Sequence, residues 1–173
     1  MKTITLETIN QHTETEVLTQ IFKHLYKQNA QSTDGDICVY RNDEGQSCAA
    51  GCLFSDEMYQ ASVNDRLESY NSLNSFKAQE PIENPGAADF EGNAFTSVAG
   101  AFNAGLDLEQ RIPQRMINLI SATQHVHDSA YDDDAIAFRG ALIAGFTDIS
   151  TDFQIPLDLP KLIAEVENEH TSV

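Results

Sequence analysis

Hydrophobic positions along this chain recur at helical spacing more often than at strand spacing. In residues 13–31, "TETEVLTQIFKHLYKQNAQ", the residues Val17, Leu18, Ile21, Phe22 and Leu25 form one apolar stripe. Thr13 and Glu16 sit three apart at its start, the pattern of a capping box, which predicts a helix. "STDGD" at 32–36 then breaks the pattern with turn formers. "ICVYR" and "QSCAA" read as two short strands, joined by "NDEG" with Asp43 and Gly45 where a tight turn needs them. A helix can open at Ser55, where Asp56 and Glu57 complement its N-terminal dipole.

Beyond this point Val63, Leu67, Tyr70 and Leu73 predict a helix over 62–77, and Phe95, Val98 and Phe102 a shorter one over 94–104. Between them, Pro81, Pro85, Gly86 and Gly92 mark a long surface loop at 78–93. Pro113 suits the first turn of a further helix carrying Ile112, Met116, Leu119, Ile120 and Thr123. Asp132 or Asp133 can cap the next, with Ile136, Leu142, Ile143 and Phe146, and a last one follows Pro160 through Leu162, Ile163 and Val166. The pattern predicts an α+β fold that is predominantly α-helical. It is a single domain over 1–173, with one β-hairpin at about residues 37–50 packed against the helices.

Composition supports a packed domain. Of the 173 residues 41% are hydrophobic and 21% charged, enough apolar surface for a core without metal or disulfide support. No apolar run approaches a bilayer span, and "MKTITLETINQH" lacks a secretory h-region, so a soluble, cytoplasmic protein is expected. Three cysteines fit free thiols in a reducing compartment better than a disulfide framework.

Charge changes the picture most. Acidic residues number 27 against 10 basic, a net charge of −17, and the excess is spread over both halves of the chain. Such a field repels phosphate backbones, so direct nucleic-acid binding is not expected. A basic partner protein is, including one whose nucleic-acid groove the acidic surface could fill. Solubility alone also accounts for such a surface.

Two places gather chemistry-bearing residues. The first is 38–59, "CVYRNDEGQSCAAGCLFSDEMY". Cys38 and Cys48 fall on opposite strands and Cys48 and Cys52 are separated by "AAG", unlike the closely paired cysteines of a zinc knuckle. No histidine nearby in sequence could activate a thiol. Cys38, Tyr40, Arg41, Gly45, Cys48, Gly51 and Cys52 are therefore read as a structural motif in which small side chains allow close packing, with no metal and no cofactor.

The second place is "ATQHVHDSAYDDD". His127 and Asp128 could serve as acid–base or metal groups of a small hydrolase near the cysteine motif. On a helix His125 and His127 diverge, however, so the simpler reading has His127 packed against the hairpin and Asp128 ending the helix. Asp128, Asp132, Asp133 and Asp134 together form a candidate acidic interaction surface.

The residues Cys38-x-Tyr40-Arg41, Gly45 and Cys48-Ala49-x-Gly51-Cys52-Leu53, with Gln124, His127 and Asp128 later, resemble a family of uncharacterised small phage, prophage and bacterial proteins. The resemblance covers 16–59 and, more loosely, 113–146. This chain departs from it with "LFSDEMY" after the motif and the lack of any tryptophan. It implies no activity. It implies a mobile-element setting, where small acidic proteins act by binding a component of the host. The expectation is thus a non-enzymatic acidic binding protein, an inhibitor or nucleic-acid mimic acting on a basic host protein. A small metal-dependent enzyme and a virion assembly component are the alternatives, and the sequence names no stoichiometry.

Overall fold

The computed structural model describes residues 3–34, 37–57, 107–130 and 134–170. The helices expected at 62–77 and 94–104, the loop at 78–93, Tyr59, Asp132 and Asp133 lie outside the described residues. Within them the chain is predominantly helical. Helix α1 spans Glu14–Gln28, α2 Gln114–Ser129, α3 Ala135–Asp152 and α4 Leu159–His170. None is long and apolar enough to cross a membrane.

Helix α1 begins as the sequence predicts. The Thr13 side chain accepts from the Glu16 backbone, and the Glu16 carboxylate accepts from Thr13 N–H at 2.8 Å, closing the capping box. It ends at Gln28, three residues sooner than expected, capped by Asn29, whose φ of 53° is left-handed and whose N–H reaches back to the Leu25 carbonyl. The apolar stripe Val17, Leu18, Ile21, Phe22 and Leu25 is fully buried. Phe22 meets Phe146 of α3 edge-on at 5.2 Å, and Leu119, Ile120, Phe138 and Leu142 complete the same core.

Pro113 is the residue before α2 rather than within its first turn, and its carbonyl accepts from Ile117 N–H. Helix α3 is capped by Asp134, whose carboxylate accepts from Ile136 N–H at 2.8 Å. Pro160 occupies the first turn of α4, where Asp158 accepts from Lys161 N–H at 3.2 Å. Helices α2 and α3 approach closely because residue 145 is glycine: a Cβ there would lie 2.5 Å from Val126 Cγ1.

The two strands expected over 37–41 and 46–50 do not form a hairpin. The described residues hold only a two-residue ladder, β1 (Thr33–Asp34) against β2 (Ile37–Cys38), antiparallel, with Thr33 opposite Cys38. Beyond it Arg41 and Ser47 make one isolated bridge around the 42–47 turn. The ladder stops for a local reason. Ala49 and Ala50 turn directly into a 3-10 turn, Gly51–Leu53, with Cys52 N–H on the Cys48 carbonyl. Side chains also take the backbone groups that a neighbouring strand would use. Asn42 Oδ1 accepts from Glu44 N–H and Gln46 N–H, and Gln28 Oε1 accepts from Ser47 N–H at 2.8 Å.

Residues 3–12, given no element by the sequence pattern, close the fold. Ile4, Leu6 and Ile9 are buried, and Leu6 N–H donates to the Leu53 carbonyl at 2.8 Å. Gln20 on α1 holds Ile4 from both sides, accepting its N–H at 2.7 Å and donating to its carbonyl at 2.8 Å.

Candidate functional site

The structure brings the cysteine motif and the Gln124–His127–Asp128 element together into one hydrogen-bonded seam between α2 and the 40–54 segment. Gln124 Oε1 accepts from Ala50 N–H at 3.0 Å, while its Nε2 donates to Asp128 Oδ1 at 2.6 Å. His127 is 0% exposed. Its Nδ1 lies 3.0 Å from Asp128 Oδ1, and its Nε2 accepts from Ser32 N–H at 3.4 Å. The acceptor role at Nε2 places the ring proton on Nδ1, where the carboxylate receives it. Both ring nitrogens are thereby occupied, and the ring edge meets Phe138 at 6.3 Å. Gln31 Nε2 then donates to the His127 and Asp128 carbonyls, covering the end of α2.

Each member of the cysteine motif has a definite place. Cys48 is buried, and its Sγ accepts from Gly51 N–H at 3.2 Å; burial pushes its thiol far up, against the pull of that N–H. Cys52 donates its S–H to the Ala49 carbonyl at 3.1 Å, and burial pushes its pKa up to about 12 despite the nearby Arg41 charge. Cys38 pairs opposite Thr33 in the short ladder and is half-buried. None of the three cysteines forms a disulfide among the described residues. Neither Cys48 nor Cys52 is poised as a thiolate.

Tyr40 stacks obliquely on Phe54 with ring centroids 5.0 Å apart. Its hydroxyl is buried with no hydrogen-bond partner among the described residues, and burial raises its pKa well above the usual phenol range, with Cys48 and Asp128 adding to the effect. Arg41 clamps the following turn: its guanidinium donates to the Gly51 and Phe54 carbonyls and to Asp56 Oδ1 at 2.7 Å. Gly45 takes φ +81° in the 42–47 turn, the left-handed geometry that favours glycine. No cluster of three or more metal-ligating side chains occurs among the described residues.

An open groove of about 580 Å³ runs along α1 beside the N-terminal segment and α4, lined among others by His12, Glu16, Lys23, His24, Lys27 and Cys52. Of the residues singled out in the sequence, it contains Cys52. Its polar heads are largely paired already. Lys23 bridges to Glu165, Lys27 Nζ lies 3.8 Å from Glu169, and His24 Nε2–H donates to the Ser47 carbonyl at 3.0 Å. Burial lowers the His24 pKa, the Ser47 carbonyl opposes this, and the nearby Arg41 charge adds to the lowering.

Of the candidate acidic surface, Asp134 caps α3 and Asp128 is engaged by Gln124 and His127. They are therefore not one free row of carboxylates. Two further bases draw on other acids: Arg115 pairs with Glu14 at 2.7 Å and Lys161 with Glu165 at 3.9 Å. The residues that organise the seam and were not anticipated are Gln28, Gln31, Ser32 and Asn42. Ser32 was visible only as a turn former in "STDGD" and Asn42 only as part of "NDEG", while Gln28 and Gln31 fell within the expected helix.

Comparison with known proteins finds no matching family model, curated protein or solved structure.

Proposed function

We propose that this chain is a non-enzymatic acidic binding protein, encoded by a phage or another mobile element, that acts by occupying a basic surface on a host protein. The observation that carries the proposal is electrostatic. The sequence holds 27 acids and 10 bases, and Lys23, Lys27, Arg41, Arg115 and Lys161 are each spent on an internal carboxylate. Carboxylates at Asp43, Glu44, Asp107, Glu109, Asp148 and Asp152 are left exposed. A surface of this sign attracts a basic partner over several ångströms and loses that attraction as salt screens it. The site geometry favours binding over catalysis, because the His127 ring nitrogens are committed to internal bonds and the thiols of Cys48 and Cys52 are held protonated.

The test is retention of bacterial lysate proteins on the immobilised full chain across a salt series, with duplex DNA added as competitor. The proposal expects basic proteins that elute with rising salt. Displacement by DNA would identify the occupied surface as a nucleic-acid groove. Retention that is independent of salt, or of no basic protein at low ionic strength, overturns it.

A further inference from the structure

The groove along α1 combines apolar walls with one cation that is loosely held. Ile4 and Val166 line it and are buried, and Cys52 lines it with its S–H turned away to the Ala49 carbonyl. Most of its polar groups have fixed partners. Glu16 holds the cap of α1 at Thr13, Gln20 holds both backbone groups of Ile4, and His24 donates to the Ser47 carbonyl. Lys23 donates to Glu165. Lys27 differs. Its Nζ stands 3.8 Å from Glu169, outside hydrogen-bond reach, and makes no hydrogen bond among the described residues. Both side chains of that pair are more than half exposed, the setting in which an ion pair is worth least.

We propose that the α1 groove binds a small free carboxylate with an unbranched apolar tail, its head on Lys27 and its tail along Ile4, Cys52 and Val166.

The size fits such a ligand. About 580 Å³ lies inside the range of small-molecule pockets, about 300–1,000 Å³. Thr19 and Lys27 both line the groove and stand about 12 Å apart along the helix axis, room for a tail of several methylenes beyond the head. The head is set by chemistry. The Lys27 ammonium carries three N–H donors, and a carboxylate accepts them in charge-assisted bonds that the distant Glu169 does not make. In the exchange Glu169 returns to water, so no buried charge is left unpaired.

The walls also select between carboxylates. An extended acidic peptide would need main-chain partners, and the N-terminal wall has none to give. The Ile4 N–H and carbonyl are both taken by Gln20, and the Leu6 N–H by the Leu53 carbonyl. A ligand with one polar end and no backbone meets the groove as it stands. The net charge of −17 works against any anion, but at about 0.15 M salt that field is screened beyond about 8 Å, which leaves the contact at Lys27 to decide.

Titration of the full chain with octanoate at that salt concentration, followed by amide chemical shifts, tests the site. Saturable shifts are expected at Thr19, Gln20, Lys27, Cys52 and Val166. Acetate carries the head without the tail and octanol the tail without the head, and each should bind about tenfold more weakly or worse. Two surface variants carry opposite signs. Lys27→Gln should weaken octanoate by about tenfold and leave octanol unchanged, whereas Glu169→Gln, which removes the competing carboxylate, should tighten octanoate by about twofold to fivefold. Both positions are exposed, so the amide spectra of the two variants should otherwise match that of the wild type. No saturation by about 10 mM octanoate, shifts centred outside the groove, equal binding of octanol and octanoate, or affinities unmoved by both substitutions overturns the proposal.

Discussion

The carbonyl oxygen of Tyr40 stands 1.9 Å from the position that a Cβ on residue 51 would occupy. That oxygen also accepts the Cys48 N–H at 3.1 Å, so it cannot swing aside without breaking the turn that carries the cysteines. Glycine at 51 is a requirement of close backbone approach. Gly51→Ala is expected to cost about 3 kcal/mol, the upper end for an overpacked site, and to lower the melting temperature by about 6–12 °C. Gly140→Ala is the control: nothing lies within 4 Å of its Cβ position in α3, and the substitution should leave stability unchanged or raise it by up to about 1 kcal/mol. Equal effects of the two substitutions in a thermal melt would remove the steric account.

Arg41 holds the same turn from outside, and its bonds differ in worth. The carbonyls of Gly51 and Phe54 lie under the guanidinium, while Asp56 is 89% exposed and screened by water. Arg41→Ala should therefore cost about 1.5–3 kcal/mol in denaturant unfolding, and Asp56→Ala less than about 0.5. Arg41→Lys should resemble the alanine variant, because a single ammonium cannot span both carbonyls and the carboxylate. A large Asp56→Ala effect would mean that the ion pair, rather than the carbonyl clamp, orders the turn.

The three thiols should separate by reactivity. Cys48 is buried, while Cys52 and Cys38 are both half-buried, and the Cys52 thiol is kept protonated by a pKa pushed up to about 12. At about pH 8 iodoacetamide should label Cys38 first and Cys52 slowly, with Cys48 reacting at a rate set by unfolding. Peptide mapping of native and denatured protein reads this directly. Fast labelling of Cys52 in the native state would show a thiolate at the groove and contradict the assignment.

How much of this was legible before the structure depends on how far each bond reaches along the chain. The Thr13–Glu16 capping box spans three residues and could be read directly. The helical stripes of α1 and α2 could be read from spacing, because each helix buries one face against the same core, whereas in α3 Leu142 and Phe146 are buried but Ile136, expected on the same stripe, is 81% exposed. The hairpin could not. "ICVYR" has strand composition, but its continuation is satisfied by side chains of Asn42, Gln28 and Ser32, whose identities announce only a turn. Ile4, Leu6 and Ile9 escaped because no single period relates them, and what buries them is the distant Leu53 turn and Gln20. At the seam the Gln124–His127–Asp128 spacing was visible. Its role was not, since the partners lie at Ser32, Gln31 and Ala50, 74 to 97 residues away.

Glu165 sets part of the acid limb of stability. The bond from Lys23 lowers its pKa from the ordinary 4.5, and the Lys23 and Lys161 charges act in the same direction. A carboxylate with a depressed folded pKa stabilises the fold above its unfolded pKa, and that contribution is lost as pH falls through the folded value. Glu165→Gln should therefore narrow the difference in melting temperature between neutral pH and about pH 3, mostly by lowering the neutral value. An unchanged pH profile would mean that the ion pair joining α1 to α4 has no weight in solution.

Gln124 is the joint through which the acidic end of α2 reaches the cysteine turn, and its two ends make different predictions. Its carbonyl satisfies the buried Ala50 N–H, and its amide nitrogen reaches Asp128 Oδ1 at 2.6 Å. Gln124→Leu strands that N–H and should cost about 1–3 kcal/mol. Gln124→Glu keeps an acceptor for Ala50 but sets a carboxylate against Asp128, so it should be destabilising near neutral pH and recover as the pH is lowered. Asp128→Asn retains an oxygen for both Gln124 and His127 and should be the mildest of the three. Because Gln124 and Asp128 share one bond, the Gln124→Leu and Asp128→Ala effects should be non-additive by about 0.5–3 kcal/mol in a double-mutant cycle. Strict additivity, with Asp128→Ala nearly silent, would show that the carboxylate does not tie α2 to the turn.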